Sequence, residues 1–420
     1  MNQPDLLAYL LGRIRSVQEG LGLESAASLE GSALFADLLD SMAMTEFLTA
    51  VAGDCRTSPG TIEQCAHHRL STVAALAERL ASAGIFPTES TAAPLPREAQ
   101  GERTAPQAFL AGAAACLPAA VQPAAEINRI LNRPDDWLQR HAGIIGRRVW
   151  AQEDPLAAAL QAATQALMQG NLTVERVDAL LVTSEAPPLL AGLGAALHAR
   201  LRLPSTAVAL EVGGASAGFL MALWTGQALL AQNKTVLLVA VEAPSRYLRL
   251  QPGDAGEAAA LFGDAAAAAV LCRTPSAGDC LAVHRIVAGA DGNAAHLLQL
   301  QAAPAGGVEL HMKGIELAGR AVNTMAENVT RLVREHAIAP GDLTGVIAHG
   351  GNGRMPALLA RKLGLAAERV WSTTPRTGNL GSASLPVTWA LHHPKPAGLL
   401  AWTSVGAGLV HGAALMERAR

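Results

Sequence analysis

A polar, proline-bearing stretch divides this chain into two unequal parts. Residues 86–107 contain four prolines among Thr, Ser, Glu and Arg side chains. Such a segment cannot bury a hydrophobic core, which indicates an extended linker. The sequence therefore predicts a small domain over residues 1–85 and a large domain over residues 108–420.

The composition excludes several classes of protein. The 420 residues carry 32 Lys and Arg against 35 Asp and Glu, a formal net charge of −3 that gives no basic surface for nucleic acid. The five cysteines form no C-x-x-C pair and no spaced Cys/His set, which argues against disulfides and a metal site. The N-terminus lacks a signal-peptide pattern, and the uncharged run 398–416 suits two buried strands better than a membrane helix. We expect a cytoplasmic protein with no metal, no nucleic-acid partner and no membrane partner.

The small part has the apolar spacing of helices throughout. Apolar residues recur every three or four positions in the stretches 6–21, 44–51 and 73–80. The pattern predicts a bundle of three or four short helices. Asp40 and Ser41 stand at the start of the second helix, where short polar residues commonly act as caps.

The segment around Ser41 carries the distinctive motif of this bundle. Phe35-Ala-Asp-Leu-Leu leads into Asp40-Ser41-Met42. With the helical pattern and the linker, this motif resembles an acyl carrier protein, whose Asp-Ser-Leu signature carries 4′-phosphopantetheine on the serine. The resemblance implies that a phosphopantetheinyl transferase modifies Ser41, and a helix N-terminus favours the resulting phosphodiester. The alternative is that Asp40-Ser41 is an ordinary helix cap.

The large part alternates the patterns of strands and helices, which predicts an α/β fold. Each half, about 108–280 and 281–420, holds a buried strand that leads into a small-residue turn and a helix, so we expect two similar halves. Strands are expected at 177–183, 206–212, 235–241, 265–272, 343–348 and 399–404. Helices are expected at 155–169, 219–232 and 314–336.

A serine occupies a tight turn between one of these strands and the helix that follows. Gly213-Gly-Ala-Ser216-Ala-Gly218 contains only small residues, and Phe219 opens an apolar stretch. At a helix N-terminus, backbone N–H groups and the helix dipole stabilise a nucleophile or a developing oxyanion. The alternative is that Ser216 only caps the helix.

Four motifs follow one another along the large part. They are Ala215-Ser216-Ala-Gly-Phe219, Leu261-Phe-Gly-Asp264-Ala-Ala, Val346-Ile-Ala-His349-Gly-Gly-Asn352 and Thr377-Gly-Asn379-Leu-Gly-Ser-Ala-Ser384-Leu-Pro386. In this order they resemble β-ketoacyl-acyl carrier protein synthase III of the thiolase superfamily, over residues 108–420. Ser216 stands where that family has its catalytic cysteine.

The resemblance implies both a fold and a reaction. The fold is the thiolase-like arrangement of two similar α/β halves, and family members are homodimers of fatty-acid or polyketide biosynthesis. They move an acyl group from a thioester to the nucleophile and condense it with a malonyl-type thioester on a carrier protein. By resemblance Ser216 accepts the acyl group, while His349 and Asn379 stabilise the enolate. The N–H groups of Ser216 and Gly408 would hold the acyl oxyanion.

Serine in place of cysteine changes the expected chemistry. An alcohol does not ionise at a helix N-terminus near neutral pH, so Ser216 needs a general base, and His349 would have to serve as one. The acyl-enzyme would be an oxyester, a poorer acyl donor toward a carbanion than a thioester. Acyl transfer to an alcohol or amine therefore stays open beside condensation. So does decarboxylation of a malonyl thioester without an acyl-enzyme.

Recognition of the thioester is where the resemblance is weakest. Trp137-Leu-Gln-Arg140-His141-Ala-Gly-Ile144 stands where the family binds coenzyme A, with His141 in place of an arginine. Trp137 is a candidate coenzyme A contact. We expect acyl-CoA or acyl-carrier thioesters as substrates, and the chain's own or other carrier domains as partners. The linker raises the local concentration of a substrate bound to Ser41.

A different enzyme class fits one motif. Gly214-Ala-Ser216-Ala-Gly218 satisfies G-x-S-x-G, the nucleophile elbow of α/β-hydrolases, and Asp264 with a later histidine would complete a triad in chain order. No HGGG-type oxyanion motif precedes the serine, and a hydrolase does not explain the motif around Asn379. A serine esterase is the alternative from this class.

Overall fold

The computed structural model describes residues 3–21, 30, 32–33, 39, 41–55, 57, 61–62, 65, 72–87, 105–185, 192–232, 235–275, 280–302 and 308–418. The chain divides into two compact units, Met1–Glu98 with Lys313–Arg320, and Ala99–Met312 with Ala321–Arg420. Because 88–104 lie outside the described residues, the linker at 86–107 stays a prediction, as do the domain boundaries that it sets.

The first unit is helical, as its apolar spacing predicts. The helices described over their whole length are α1 (Gln3–Leu21), α2 (Ser41–Asp54) and α3 (Val73–Ser82). Each helix turns an apolar face toward one shared core, which includes Leu10, Phe47 and Leu76. The hydroxyl of Thr72 caps α3 by accepting the N–H of Ala75 at 3.2 Å. Ser41 is the first residue of α2, as the sequence predicts, and Asp40 lies outside the described residues.

The second unit is a mixed α/β structure. Its strands are β1 (Ala108–Cys116), β2 (Val121–Pro123), β3 (Gly146–Arg148), β4 (Ala179–Thr183), β5 (Val208–Glu211), β6 (Val236–Glu242), β7 (Ala265–Cys272), β8 (Leu281–Gly289), β9 (Leu298–Ala302), β10 (Val308–Met312), β11 (Gly345–Ala348), β12 (Val370–Trp371), β13 (Gly398–Val405) and β14 (His411–Arg418). Its helices are α4 (Ala124–Ile130), α5 (Trp137–Ala142), α6 (Pro155–Gln169), α7 (Leu193–Leu201), α8 (Gly218–Leu230), α9 (Asp254–Ala260), α10 (Gly314–Glu335), α11 (Met355–Leu363), α12 (Thr374–Thr377) and α13 (Ser384–Leu391). Residues 314–320 of α10 are counted with the first unit.

The two halves of the main sheet have the same topology when their strands are followed inward from the two edges. In the described part of the chain the sheet has ten strands, in the order β12-β11-β13-β14-β8-β1-β7-β6-β4-β5. At one end β4 pairs in parallel with β5 and β6, and at the other end β11 pairs in parallel with β12 and β13. The antiparallel strands β1 and β8 pair at the centre. Two similar α/β halves, expected from the sequence, are confirmed by this order.

Alternation along the central strands sends side chains into two separate cores. In β7, Ala267 and Ala269 face the core that contains α8 and α13, whereas Ala266 and Ala268 face the core that contains α6 and α7. Small residues let helices approach the sheet closely: a Cβ on Gly112 of β1 would lie 2.7 Å from the backbone nitrogen of Gly170. The sheet is therefore covered by helices on both faces.

Most of the expected elements are present, with ends shifted by up to two residues. The run 398–416 forms β13 and β14, as expected, and none of the described helices has the length and apolar character needed to cross a bilayer. The sequence did not predict β1, β8, α7 and α11. In β1 the alanines that fit beneath α6 have low strand propensity, so the segment gave no strand signal.

Candidate active site

Ser216 lies in the turn between β5 and α8. A single 3₁₀ turn, Ala215–Ala217, runs directly into α8. Gly214 (φ 125°) and Ala215 (φ 48°) both lie in the left-handed region, which costs about 1–2 kcal/mol for a residue with a Cβ. The side chain of Ser216 is buried, at 7% exposure, and its carbonyl oxygen accepts the hydroxyl of Ser404 at 2.8 Å. The structure thus holds Ser216 at a helix N-terminus, as the sequence predicts.

Glycines allow other chain segments to reach this turn. A Cβ on Gly406 would overlap the carbonyl oxygen of Gly214 and lie 2.9 Å from the backbone nitrogen of Ser216. A Cβ on Gly408 would come no closer than 4.0 Å to a side chain, that of Val410. Gly406 is therefore the glycine packed against the Ser216 backbone, and an oxyanion role for the N–H of Gly408 stays a prediction.

Asn379 lies in the tight turn between α12 and α13. Its side-chain oxygen accepts the backbone N–H of Gly381 at 2.9 Å, and the residue is 5% exposed. This bond fixes the orientation of the amide group, so that the donor side, Nδ2, points away from Gly381. The 3₁₀ turn that follows, Gly381–Ala383, packs against the 3₁₀ turn of Ser216.

His349 follows β11 and is held by β13 and α13. Its backbone N–H donates to the carbonyl oxygen of Thr403 at 2.9 Å, and its ring Nδ1 lies 3.3 Å from the hydroxyl oxygen of Ser384. Burial lowers the pKa of His349 to about 4, so the imidazole is neutral near pH 7. Asn352, which shares its motif, instead caps α11 by accepting the N–H groups of Arg354 and Met355.

One segment, 379–384, is shared by the three predicted catalytic residues. Asn379 begins it, His349 contacts Ser384 at its end, and the turn of Ser216 packs against its middle. They come from three separate places in the chain, after β5, after β11 and before α13. The sheet therefore brings the predicted residues together in one buried region.

Glu185 is the partner of Ser216 that the sequence did not predict. The Ser216 hydroxyl donates to Glu185 Oε1 at 2.7 Å. Glu185 lies two residues beyond β4, and its backbone N–H donates to Glu242 Oε2 at 3.0 Å. Its position after a buried parallel strand was a signal, since functional side chains collect at the carboxyl ends of such strands.

Glu185 and Glu242 form a pair of neighbouring carboxyl groups. A Cβ on Gly381 would lie 3.0 Å from Glu185 Cδ and 3.1 Å from Glu242 Cδ. Glu242, at the end of β6, is 1% exposed and accepts the backbone N–H of Ser382 at 3.1 Å and also its hydroxyl. Burial raises the pKa of both carboxyl groups, and the charge of Glu185 raises that of Glu242 further. Two such groups share protons as a pair.

Asp264 has a different role from the one a hydrolase requires. Its carboxylate accepts the backbone N–H of Trp150 at 2.7 Å and that of Ser245 at 3.0 Å, and also the Ser245 hydroxyl. These bonds tie the start of β7 to neighbouring loops, and no histidine in the described ranges is among the hydrogen-bond partners of Asp264. The mixed sheet, with antiparallel strands at its centre, also differs from the mainly parallel sheet of α/β-hydrolases, so the esterase alternative is wrong for this fold.

The ring of Trp137 is already in contact with two neighbouring side chains. His141 stacks on it with ring centroids 5.2 Å apart, and the guanidinium of Arg133 lies 5.7 Å from its centroid. A coenzyme A contact through Trp137 stays a prediction. Among the described residues, no cluster of three or more His, Cys, Asp or Glu side chains is arranged to hold a metal ion.

Comparison with known proteins gives matches across the second unit. The family model described as 3-oxoacyl-[acyl-carrier-protein (ACP)] synthase III matches residues 210–292, and the model of its C-terminal part matches residues 333–418. The first range contains Ser216, and the second contains His349 and Asn379.

Two curated relatives are similar over nearly their whole length. The 3-oxopimeloyl-[acyl-carrier-protein] synthase of Rhodothermus marinus is 33% identical over 356 residues, which are 79% of this chain and 100% of that protein. The β-ketoacyl-[acyl-carrier-protein] synthase III of Aquifex aeolicus is 29% identical and covers 73% of this chain and 98% of its own length.

Solved structures show the same fold. The 3-oxoacyl-(acyl carrier protein) synthase III of Pseudomonas aeruginosa superposes with a TM-score of 0.66 at 29% identity, over 74% of this chain and 98% of that one. OleA of Xanthomonas campestris gives a TM-score of 0.67 at 20% identity, over 77% of this chain and 100% of its own.

Proposed function

This chain belongs to the 3-oxoacyl-[acyl-carrier-protein] synthase III family of condensing acyltransferases, and we propose that Ser216 carries the acyl group in its reaction. The observation that supports this most directly is the position of the Ser216 hydroxyl. It lies at the N-terminus of α8 and is buried, as His349 and Asn379 are, and its motif resembles the one that carries the family's cysteine. Backbone N–H groups at that helix end favour the oxyanion of the acyl-transfer intermediate.

His349 and Asn379 act on the second substrate, a malonyl-type thioester. Loss of carbon dioxide leaves an enolate, whose oxygen needs hydrogen-bond donors. Because burial lowers the pKa of His349 to about 4, a neutral ring N–H and the Asn379 amide supply those donors without transferring a proton. The enolate then attacks the acyl group on Ser216. The product is a 3-oxoacyl thioester of fatty-acid or polyketide metabolism.

Acyl transfer to an alcohol or amine is the second candidate, and the serine itself favours it. An oxyester on Ser216 is a weaker acyl donor toward a carbon nucleophile than the family's thioester. An alcohol or amine that attacks the oxyester also needs a proton acceptor, and the carboxylate of Glu185 lies 2.7 Å from Ser216 Oγ.

We further propose that the helical unit is an acyl carrier with 4′-phosphopantetheine on Ser41, added by a phosphopantetheinyl transferase. Ser41 is the first residue of α2, and the N–H groups of a first helical turn stabilise a phosphodiester. The thiol of the arm would bind the acyl or malonyl group as a thioester. A covalent tether to the synthase unit would raise the local concentration of that substrate.

A homodimer is also part of the proposal. Among the described strands, β5 pairs with β4 alone and forms one edge of the main sheet, where it exposes Val208 (44%) and Leu210 (42%). An apolar sheet edge is a surface on which a second copy can add its own β5. The expected cytoplasmic location belongs to this proposal as well, since the acyl thioesters of carrier proteins are made there.

Mass spectrometry of the acylated chain tests the proposed reaction. The full chain, converted by a phosphopantetheinyl transferase, is incubated with acetyl-CoA and malonyl-CoA, and peptides are mapped for added mass. We expect acetyl mass on the Ser216 peptide and a phosphopantetheine arm on the Ser41 peptide. Ser216→Ala should lose the acetyl adduct and keep the arm, and Ser41→Ala should do the reverse. Two results together would instead support decarboxylation alone: the wild type forms no acyl adduct, and Ser216→Ala releases carbon dioxide at the wild-type rate.

A further inference from the structure

The partner of the Ser216 hydroxyl leads to an inference that rests on the proposed role of Ser216. That hydroxyl donates to Glu185 Oε1 at 2.7 Å, whereas the described contact of the His349 ring is with Ser384. A serine nucleophile needs a group that accepts its proton as it attacks. We infer that Glu185 is a further catalytic residue, the general base for Ser216.

The backbone of Glu185 is anchored without the help of its side chain. Its N–H donates to Glu242, and its carbonyl oxygen accepts the hydroxyl of Tyr247 at 3.2 Å. The contact with Ser216 is therefore not needed to hold this segment in place. Glu185 as a residue is only partly buried, and its Oε1 accepts the Ser216 hydroxyl, so a substrate that reaches Ser216 also meets this carboxyl group.

The surroundings of Glu185 make it a better base than an exposed carboxylate. Burial raises its pKa, and Glu242 is a second acidic group beside it. Tyr247, whose hydroxyl donates to the Glu185 carbonyl oxygen, has its pKa raised by burial and by nearby carboxylates, including the more distant Asp264, so it stays uncharged. A carboxyl group with a raised pKa accepts a proton more readily at neutral pH.

Glu185 alone can accept and return the one proton that the acylation step transfers. Ser216 Oγ forms a bond to the thioester carbonyl carbon while its proton passes to the Glu185 carboxylate. The tetrahedral intermediate collapses and the C–S bond breaks. The proton on Glu185 then passes to the leaving sulfur, which departs as a thiol, and Glu185 returns to its ionised form. His349 stays neutral throughout and remains available as a hydrogen-bond donor.

Comparison of a serine and a cysteine nucleophile at position 216 tests the role of Glu185 as general base. The full chain without phosphopantetheine is treated with S-acetyl-N-acetylcysteamine, and acetyl mass on the peptide of residue 216 is followed over time. We expect Glu185→Gln to slow acylation by about 10²–10⁴-fold, the usual contribution of a general base. A thiol ionises without such a base, so the same substitution in a Ser216→Cys background should leave the rate unchanged or raise it. Glu335→Gln, which removes a carboxylate paired with Arg285 and Arg331, is the matched control and should acylate like wild type.

The outcomes separate this inference from the proposed function. If Glu185→Gln slows acylation equally in the serine and cysteine backgrounds, Glu185 has a structural role and the inference is overturned. It is also overturned if Glu185→Gln acylates Ser216 at the wild-type rate. A wild-type chain that gains no acetyl mass at Ser216 would overturn the covalent mechanism itself. The pH profile gives a second readout: acylation should rise with pH through the raised pKa of Glu185 and then level off, and Glu185→Gln should lose that inflection.

Discussion

His349 Nδ1 lies 3.3 Å from the hydroxyl oxygen of Ser384, the first residue of α13. This contact orients a buried imidazole that no charged group in the described part of the chain holds. It also explains why the serine belongs to the motif that starts with Asn379: one short segment positions the amide of Asn379 at its beginning and the ring of His349 at its end.

Removing the Ser384 hydroxyl should weaken catalysis more than folding. In Ser384→Ala the imidazole loses its partner, and we expect the rate of carbon dioxide release from malonyl-CoA to fall about 10-fold or more, as for other groups that orient a catalytic residue. Thr388→Val is the matched control, because the Thr388 hydroxyl is buried one turn further along α13 and has no hydrogen-bond partner among the residues that the structure describes. Equal rates for Ser384→Ala and wild type would contradict the positioning role.

The buried His349 should make stability depend on pH in a defined direction. Its pKa is about 4 in the folded chain and near 6.5 in the unfolded one, so the unfolded state binds more protons between these values. The contribution of His349 to the free energy of unfolding is full above about pH 6.5 and falls by up to about 1.4 kcal/mol per pH unit down to pH 4. The raised pKa values of Glu185, Glu242 and Asp264 change the free energy of unfolding in the opposite direction, since their contribution falls as the pH rises. Urea unfolding of wild type and His349→Gln at pH 4.5 and 7 therefore isolates the effect, and parallel pH dependences would refute it.

Gly406 should tolerate no side chain. A methyl group there overlaps the carbonyl oxygen of Gly214 and presses on the backbone of Ser216. We expect Gly406→Ala to lose acylation of Ser216 and to lower stability by about 1–3 kcal/mol, the range for overpacked sites. Gly292→Ala is the control, since a Cβ at that position meets nothing within 4 Å and its φ is ordinary. Thermal unfolding and acylation rates report both effects, and a fully active Gly406→Ala would show that this contact is dispensable.

A charge on the sheet edge should separate the proposed dimer. Leu210→Lys places a cation on the exposed face of β5, where burial against a second copy would cost several kcal/mol. We expect light scattering after gel filtration to give the mass of a dimer for wild type and of a monomer for this variant. Leu300→Lys, on the similarly exposed β9, should remain dimeric. A wild-type monomer would refute the dimer, and a dimeric Leu210→Lys would place its interface elsewhere.

Local patterns in the sequence predicted much of this molecule. Helices of the first unit follow from apolar spacing, and the Ser216 turn follows from a run of small residues between a strand and an apolar helix. Strands that alternate or are uniformly apolar, such as β6, were predicted because their signal lies within a few consecutive residues. Motif order along the chain identified Ser216, His349 and Asn379 as the candidate site for the same reason.

Contacts between distant segments were decided only by the tertiary structure. Glu185 meets Ser216 because parallel pairing of β4 with β5 and β6 gathers the ends of these strands at one edge of the sheet, and no local pattern encodes that pairing. Asp264 fits a triad by its order in the chain, yet its bonds go to Trp150 and Ser245. The sequence by itself determined which side chains are available for chemistry. Packing of the sheet determined which of them touch, because a side chain's reactivity depends on neighbours that the chain brings close only when it folds.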